Sequence, residues 1–188
     1  KEVLADWQTC LEACHFVGGE KVAQFENKLA KFLDVKYCVS CASGTDALLI
    51  ALQALGIRPG MKVAIPDLTF WATYEAVAQL GAHPILIDVS KSHWQMNLEE
   101  LDLAFHKYTI DAVLCVHLFG WACPHLNKLR SYCKKKQVPL IEDSAQSFGI
   151  RINDKSLFAE AQVSTLSFYP SKVLGGACDG GALLTNDA

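Results

Sequence analysis

Short apolar runs alternate with longer stretches of helical periodicity through nearly the whole chain, and few architectures can bury such a pattern. "YCVSC" reads as a strand, and "ASGTDALLIALQALG" as a helix that Ser43 or Thr45 can cap and Gly56 ends. "PGMKVAIP" is a turn and a strand, "FWATYEAVAQLG" a helix closed by Gly81, and "HPILIDV" a further strand. "NLEELDLAFHK" opens with Asn97 three residues before Glu100, the spacing of a reciprocal N-terminal cap. "DAVLCVHLFG", "PHLNKLRSYCKKKQ" and "VPLIEDSAQ" continue the rhythm as strand, helix and strand. Strands that are apolar almost throughout, joined by helices, predict an α/β fold: a mainly parallel sheet covered by helices on both faces.

Upstream of that core, "EKVAQFENKLAKFL" places Val22, Phe25, Leu29, Phe32 and Leu33 on one face, behind a break at Gly18 and Gly19. This predicts an amphipathic surface helix. The chain is thus read as an N-terminal segment, residues 1–20, followed by one α/β core, a reasonable load for 188 residues. It begins at Lys1 and stops just after the strand-like "GALLT", which suits a fragment or a processed chain.

Charge and composition exclude several functions. With 17 basic and 20 acidic residues, net −3, nothing favours a polyanion, and the single basic triplet, Lys134 to Lys136, reads as a solvated helix end. No apolar run reaches the roughly 18 residues that span a bilayer, and no signal peptide opens the chain, so a soluble cytoplasmic protein is expected. The eight cysteines sit in a long, periodic, apolar chain, unlike a disulfide scaffold, and read as reduced thiols. Cys10, Cys14, Cys38 and Cys41 lack a good zinc spacing, and Cys38 is expected in the core.

In such sheets ligands bind beyond the carboxyl ends of the strands. Three polar clusters fall there: Ser43-Gly44-Thr45-Asp46, Asp143-Ser144-Ala145-Gln146, and Ser167 to Lys172. Each has a plain reading and a chemical one. "SGTD" is an ordinary N-cap, or a phosphate cradle of free N–H groups, small side chains and a hydroxyl. Asp143 is a helix cap, or a buried carboxylate awaiting a cation. Lys172 is a surface charge, or an amine enclosed by the glycines of "VLGGACDGG" and able to attack a carbonyl when neutral. Taken together, cradle, acid and lysine meet the demands of a pyridoxal phosphate site. A dinucleotide site is discounted, because no G-x-G-x-x-G follows the first strand.

The strings "SGTDALLIALQALGIRPG", "PDLTFWATYEAV", "VHLFG", "IEDSAQSFG" and "SFYPSKVLGGACDGGALLTND" resemble the DegT/DnrJ/EryC1/StrS family of sugar aminotransferases, in order and across nearly the whole chain. The resemblance implies the large domain of a fold-type-I, aspartate aminotransferase-like enzyme. It also implies a homodimer, a pyridoxal 5'-phosphate cofactor, a nucleotide-linked keto-sugar substrate and an amino-acid donor, often glutamate. By the same resemblance Lys172 is the Schiff-base lysine, and Asp143 the acid that pairs with the ring nitrogen. Gln146 lies near the phenolic oxygen and Phe70 stacks on the ring. Gly44, Thr45 and Ser167 bind phosphate, with Asp46 close by. His117 is either near the site or a core histidine. The family's smaller C-terminal domain is expected to be missing from a chain of this length. Ser171, Trp71, Trp121 and His125 depart from the commoner pattern and are expected to shape the sugar pocket. A related dehydratase carries histidine at the lysine position, which Lys172 argues against. A non-catalytic regulatory or scaffold member is the other alternative, opposed by the intact set of Lys172, Asp143, Gln146 and Thr45.

Overall fold

A computed structural model describes residues 2–187. Its centre is a seven-stranded sheet. The strands are β1 (Tyr37–Cys41), β2 (Lys62–Pro66), β3 (His83–Ile87), β4 (Ala112–Val116), β5 (Leu140–Asp143), β8 (Val163–Ser167) and β9 (Gly181–Thr185), in the spatial order β1-β9-β8-β5-β4-β2-β3. A separate two-stranded ribbon, β6 (Arg151–Ile152) with β7 (Lys155–Ser156), lies between β5 and β8 in sequence. Strands β8, β5, β4, β2 and β3 are mutually parallel, and β9 alone runs against both its neighbours, β8 and β1. Six of the seven strands therefore end along one edge. The reversed β9 begins there, with Gly181 in register between Cys41 and Ser167.

Both faces are covered because the central strands are apolar on both sides. Every residue of β4 is buried. On one face lie α3 (Gly44–Ala54) and α4 (Trp71–Gln79), packing Leu48, Ala51, Leu52, Ala72, Ala76 and Val77 against Val63, Ile65, Leu114 and Ile141. On the other lie α2 (Glu20–Leu33), α5 (Leu98–Lys107) and α6 (Leu126–Lys136), with Leu29, Leu33, Leu101, Leu126 and Leu129 over Val113, Cys115, Leu140 and Leu184. Burial of a Leu-sized side chain contributes about 1.5–3 kcal/mol, so these two layers carry most of the favourable energy. Helix α2 is amphipathic as read: Leu29, Ala30 and Leu33 are buried, while Phe25 meets Phe168 edge-on and Phe32 stacks on Phe148. The first helix, α1 (Glu2–Glu12), lies outside this core, buries none of its residues, and reaches α2 through the Asp6–Lys21 ion pair at 2.7 Å.

Two local expectations are refined. Ser43, and not Thr45, caps α3, its Oγ accepting the Asp46 N–H at 3.0 Å. At α5 the Asn97 side chain accepts from Glu99 N–H, but the reciprocal bond from Glu100 is not made. The Asn97 N–H is already donated to Asp88 O at 3.0 Å, so Glu100 finds no donor there. All eight cysteines are free, and Cys38 is buried as its place in an alternating strand implies. No helix among the described residues is long and apolar enough to cross a membrane.

Candidate active site

The shared strand edge opens into a cleft of about 290 Å³, close to the lower end of the usual range for small-molecule sites, roughly 300 Å³. Ser43, Gly44, Thr45, Phe70, Asp143, Gln146, Ser167 and Lys172 all line it, together with Tyr169, Ser171 and Asp179. Of the eight cofactor residues read from the sequence, seven converge here. Asp46 does not line the cleft: it sits one residue further along the first turn of α3, its N–H taken by Ser43.

One wall is a helix N-terminus. The cap uses the Asp46 N–H, and Ala47 N–H returns to Ser43 O, which leaves the Gly44 and Thr45 N–H groups over among the described residues. With the helix dipole behind them they suit an anion. Glycine is required at the close approaches. A Cβ on Gly44 would come within 2.7 Å of Ser167 Cβ, and one on Gly181 would strike Ser43 O. Ser167 is thereby held against the cradle at the end of β8.

Asp143 ends β5 and is almost wholly buried. Its Oδ1 accepts Ala145 N–H at 3.0 Å, and its Oδ2 accepts the hydroxyl of the fully buried Thr73 at 3.3 Å. Burial pushes its pKa upward, and the Ala145 N–H, the neighbouring His117, the Thr73 hydroxyl and the charge of Lys172 offset only part of that. Two neutral donors leave this carboxylate short of a cation, so a ligand with an N–H⁺ fits it.

Lys172 follows a turn in which its N–H donates to Tyr169 O at 2.8 Å, with Pro170 supplying the fixed φ that such turns favour. Its Nζ lies 5.7 Å from the centroid of the Phe70 ring, so amine and aromatic face one another across the cleft. Gln146 Oε1 accepts Phe119 N–H at 2.7 Å. That bond fixes the amide's orientation and leaves its Nε2 as the donor presented elsewhere. The set therefore offers anion donors, an aromatic face, a carboxylate and an amine around one space, which fits a phosphorylated, planar, nitrogen-containing ring bearing a carbonyl.

His117 belongs to the layer beneath. It is fully buried, its Nδ1 accepts Cys123 N–H at 3.1 Å, and its Nε2 is 3.3 Å from Glu142 Oε2. It is buried as a core histidine is, and it also adjoins the site, its backbone N–H donating to Asp143 O at 2.9 Å. Glu142, also fully buried, is gripped by Arg130 through bonds of 2.8 and 2.9 Å. Burial works to raise the Glu142 pKa, but the bonds and charges of His117 and Arg130 outweigh it and hold the carboxyl below its ordinary value. Sequence reading missed Thr73, Tyr169, Asp179 and Arg130. Tyr169 and Asp179 flank the predicted lysine and could have been drawn in by proximity, whereas Thr73 and Arg130 gain meaning only from packing.

Residues 1–188, the whole chain, match the model of the DegT/DnrJ/EryC1/StrS aminotransferase family. The chain belongs to this family. Among curated relatives it is similar to the UDP-2-acetamido-2-deoxy-3-oxo-D-glucuronate aminotransferase of Pseudomonas aeruginosa, 40% identical over 180 residues, covering 96% of this chain and 50% of that protein. A DegT/DnrJ/EryC1/StrS aminotransferase from Brucella abortus superposes with a TM-score of 0.89 at 38% identity, over 96% of this chain and 50% of that one. The Bacillus subtilis protein NtdA, solved with bound cofactor PMP, superposes at 0.92 with 31% identity, over 99% and 41%. The chain spans about half the length of the curated relatives it matches.

Proposed function

We propose that this chain is the pyridoxal-phosphate-binding large domain of an aminotransferase that converts a nucleotide-linked keto-sugar to an amino-sugar, with an amino acid, glutamate by family pattern, as donor. The observation that carries this reading is the meeting of Lys172, Asp143 and the Gly44-Thr45-Ser167 cradle on one cleft at the carboxyl edge of the sheet. The similarity to a nucleotide-sugar aminotransferase supports the substrate class, and the PMP-bound neighbour supports the cofactor.

Bound there, pyridoxal phosphate supplies an aldehyde for the amine and a ring that takes up the electrons released when the donor's C–H bond breaks. The chain's residues do the rest. Gly44, Thr45 and Ser167 hold the phosphate through N–H and hydroxyl donors at the start of α3. Phe70 would cover one face of the ring, and Gln146 would offer its Nε2 to a ring oxygen. Asp143 would accept the ring N–H⁺ and keep that proton in place, which its shortage of other cationic partners favours. Lys172 Nζ would be the amine presented to that aldehyde and, when free, the base placed to take the donor's α-proton.

Phe70 and Tyr169 line the cleft and are exposed, and Trp71, Phe119 and Trp121, close in sequence to the cleft residues Phe70 and Leu118, are exposed as well. They support a homodimer in which a second copy helps to close the site, with a smaller C-terminal domain completing the substrate pocket. Trp71 and Trp121 then bear on sugar choice. The free thiols support a cytoplasmic setting.

The decisive experiment is an absorbance spectrum of the protein with added pyridoxal phosphate, before and after borohydride, beside Lys172→Ala. The wild type is expected to show a visible band that borohydride removes, and mass spectrometry to find the reduced adduct on the Lys172 peptide. A Lys172→Ala protein with the same reducible band overturns the assignment.

A further inference from the structure

Thr73, the third residue of α4, is completely buried, and a valine has nearly its shape without the hydroxyl. Its hydroxyl must therefore be explained by what it bonds, since a buried hydroxyl is costly unless paired. It lies 3.3 Å from Asp143 Oδ2 on one side and 2.8 Å from the Thr69 hydroxyl on the other. An ionised carboxylate can only accept, so Thr73 donates to Asp143. Thr73 then has its proton committed, and Thr69 must donate to it. The bonds run in one direction, from half-buried Thr69 at the mouth of α4, through Thr73, to the floor of the cleft.

The arrangement occupies both oxygens of Asp143: Oδ1 by Ala145 N–H and Oδ2 by Thr73. Two donors from two elements, the turn after β5 and the first turn of α4, define the plane of the carboxylate. The other titratable groups that bear on Asp143 are His117, just after β4, and Lys172 after β8. Thr73 is the only donor that α4 contributes among the described residues.

We propose that Thr73, backed by Thr69, is a positioning residue that fixes the orientation of Asp143 and favours its ionised form, so that a ring nitrogen entering the cleft meets a preoriented carboxylate. The ring nitrogen rests on the function proposed above. The coupling between hydroxyl and carboxylate does not, and the test separates them.

Carbon-13 NMR of the aspartate carboxyls in the cofactor-free protein, with the Asp143 signal assigned through Asp143→Asn, reads the coupling directly. Thr73→Val keeps shape and removes the hydroxyl. It is expected to raise the proton affinity of Asp143 about tenfold, the scale of a lost bond to a charged group. Thr73→Ser, which restores the hydroxyl, is expected to return the titration to that of the wild type. Fluorescence titration with pyridoxal phosphate should show affinity weakened about tenfold in Thr73→Val and not in Thr73→Ser. Thr69→Val, at a half-buried position that tolerates the change, should move Asp143 in the same direction by less. An unmoved Asp143 in Thr73→Val, or in Thr69→Val should the first fail to fold, overturns the proposal. So does a Thr73→Ser protein shifted as far as Thr73→Val, since packing alone would then explain both. A wild type with no affinity for pyridoxal phosphate would overturn the proposed function instead, and the carboxyl titration would still decide the role of Thr73.

Discussion

Gly44 and Ser167 lie so close that a Cβ on the glycine would come within 2.7 Å of the serine's Cβ. Gly44 opens α3 and Ser167 closes β8, more than a hundred residues later in the chain. Their contact presses a helix N-terminus against a strand end and brings the backbone donors beside a hydroxyl. Gly181, first in the reversed β9, completes the approach from behind through Ser43 O.

Gly44→Ala should therefore force α3 and β8 apart. Inserting a methyl into a tight contact costs about 1–3 kcal/mol, and a comparable loss is expected by thermal or denaturant unfolding. Because the contact builds the cradle, affinity for pyridoxal phosphate should fall at least about tenfold, read by fluorescence titration. An alanine variant with wild-type affinity would remove Gly44 from the phosphate site.

Asp143 carries an opposing pair of effects. Its folded pKa is raised above 3.8 by burial, so its stabilising contribution is greatest below that value and is lost as pH climbs through the folded pKa. Above its folded pKa the cofactor-free protein bears the cost of an ionised group in a poorly compensated place. Asp143→Asn should thus melt higher than the wild type at pH 7 without cofactor, the difference shrinking as pH falls toward 3.8. The same variant should lose most transamination, because the ring proton is no longer held. Equal melting curves across this pH range would show that the buried charge costs nothing.

Arg130 and Glu142 give the opposite sign. Glu142 is held below its ordinary 4.5, so its contribution is present above that value and fades as pH falls through the folded pKa. Arg130→Met leaves the buried carboxylate to His117 alone, and loss of one partner of such a pair costs about 3–5 kcal/mol. The expected result is a large loss of stability at pH 7 that narrows below pH 4.5, measured by urea unfolding. A gap that stays constant with pH would mean that Arg130 contributes packing rather than charge.

Much of this layout is legible in the sequence because strand ends in a parallel sheet converge wherever the strands run the same way. Gly44, Asp143, Ser167 and Lys172 could be placed together without coordinates. The reversal of β9 was not legible: "GALLT" pairs antiparallel with both β1 and β8, and an apolar run buried on both faces does not announce its direction. Asp46, expected close to the phosphate ligands, follows Thr45 in the first turn of α3, where its N–H serves the Ser43 cap. Thr73 and Arg130 sit mid-pattern in helices, where Thr and Arg are ordinary. Their partners, Asp143 and Glu142, lie 70 and 12 residues away.

Phe70 separates function from stability more cleanly than any other residue of the cleft. Phe70 is 64% exposed, so little buried area is lost on truncation, and an exposed substitution shifts stability by about 0.5 kcal/mol or less. Lys172 Nζ nevertheless lies over this ring, 5.7 Å from its centroid, and both residues line the cleft. A stacked aromatic pair adds about 0.5–1.5 kcal/mol beyond its area, which corresponds to roughly two- to tenfold in affinity. Phe70→Ala should accordingly leave the unfolding midpoint of the cofactor-free protein unchanged while weakening pyridoxal phosphate binding by that factor. Phe70→Tyr, which keeps the ring, should bind as the wild type does. Equal affinity in all three proteins would show that the ring covers no ligand, and the cofactor would have to be stacked by another wall of the cleft.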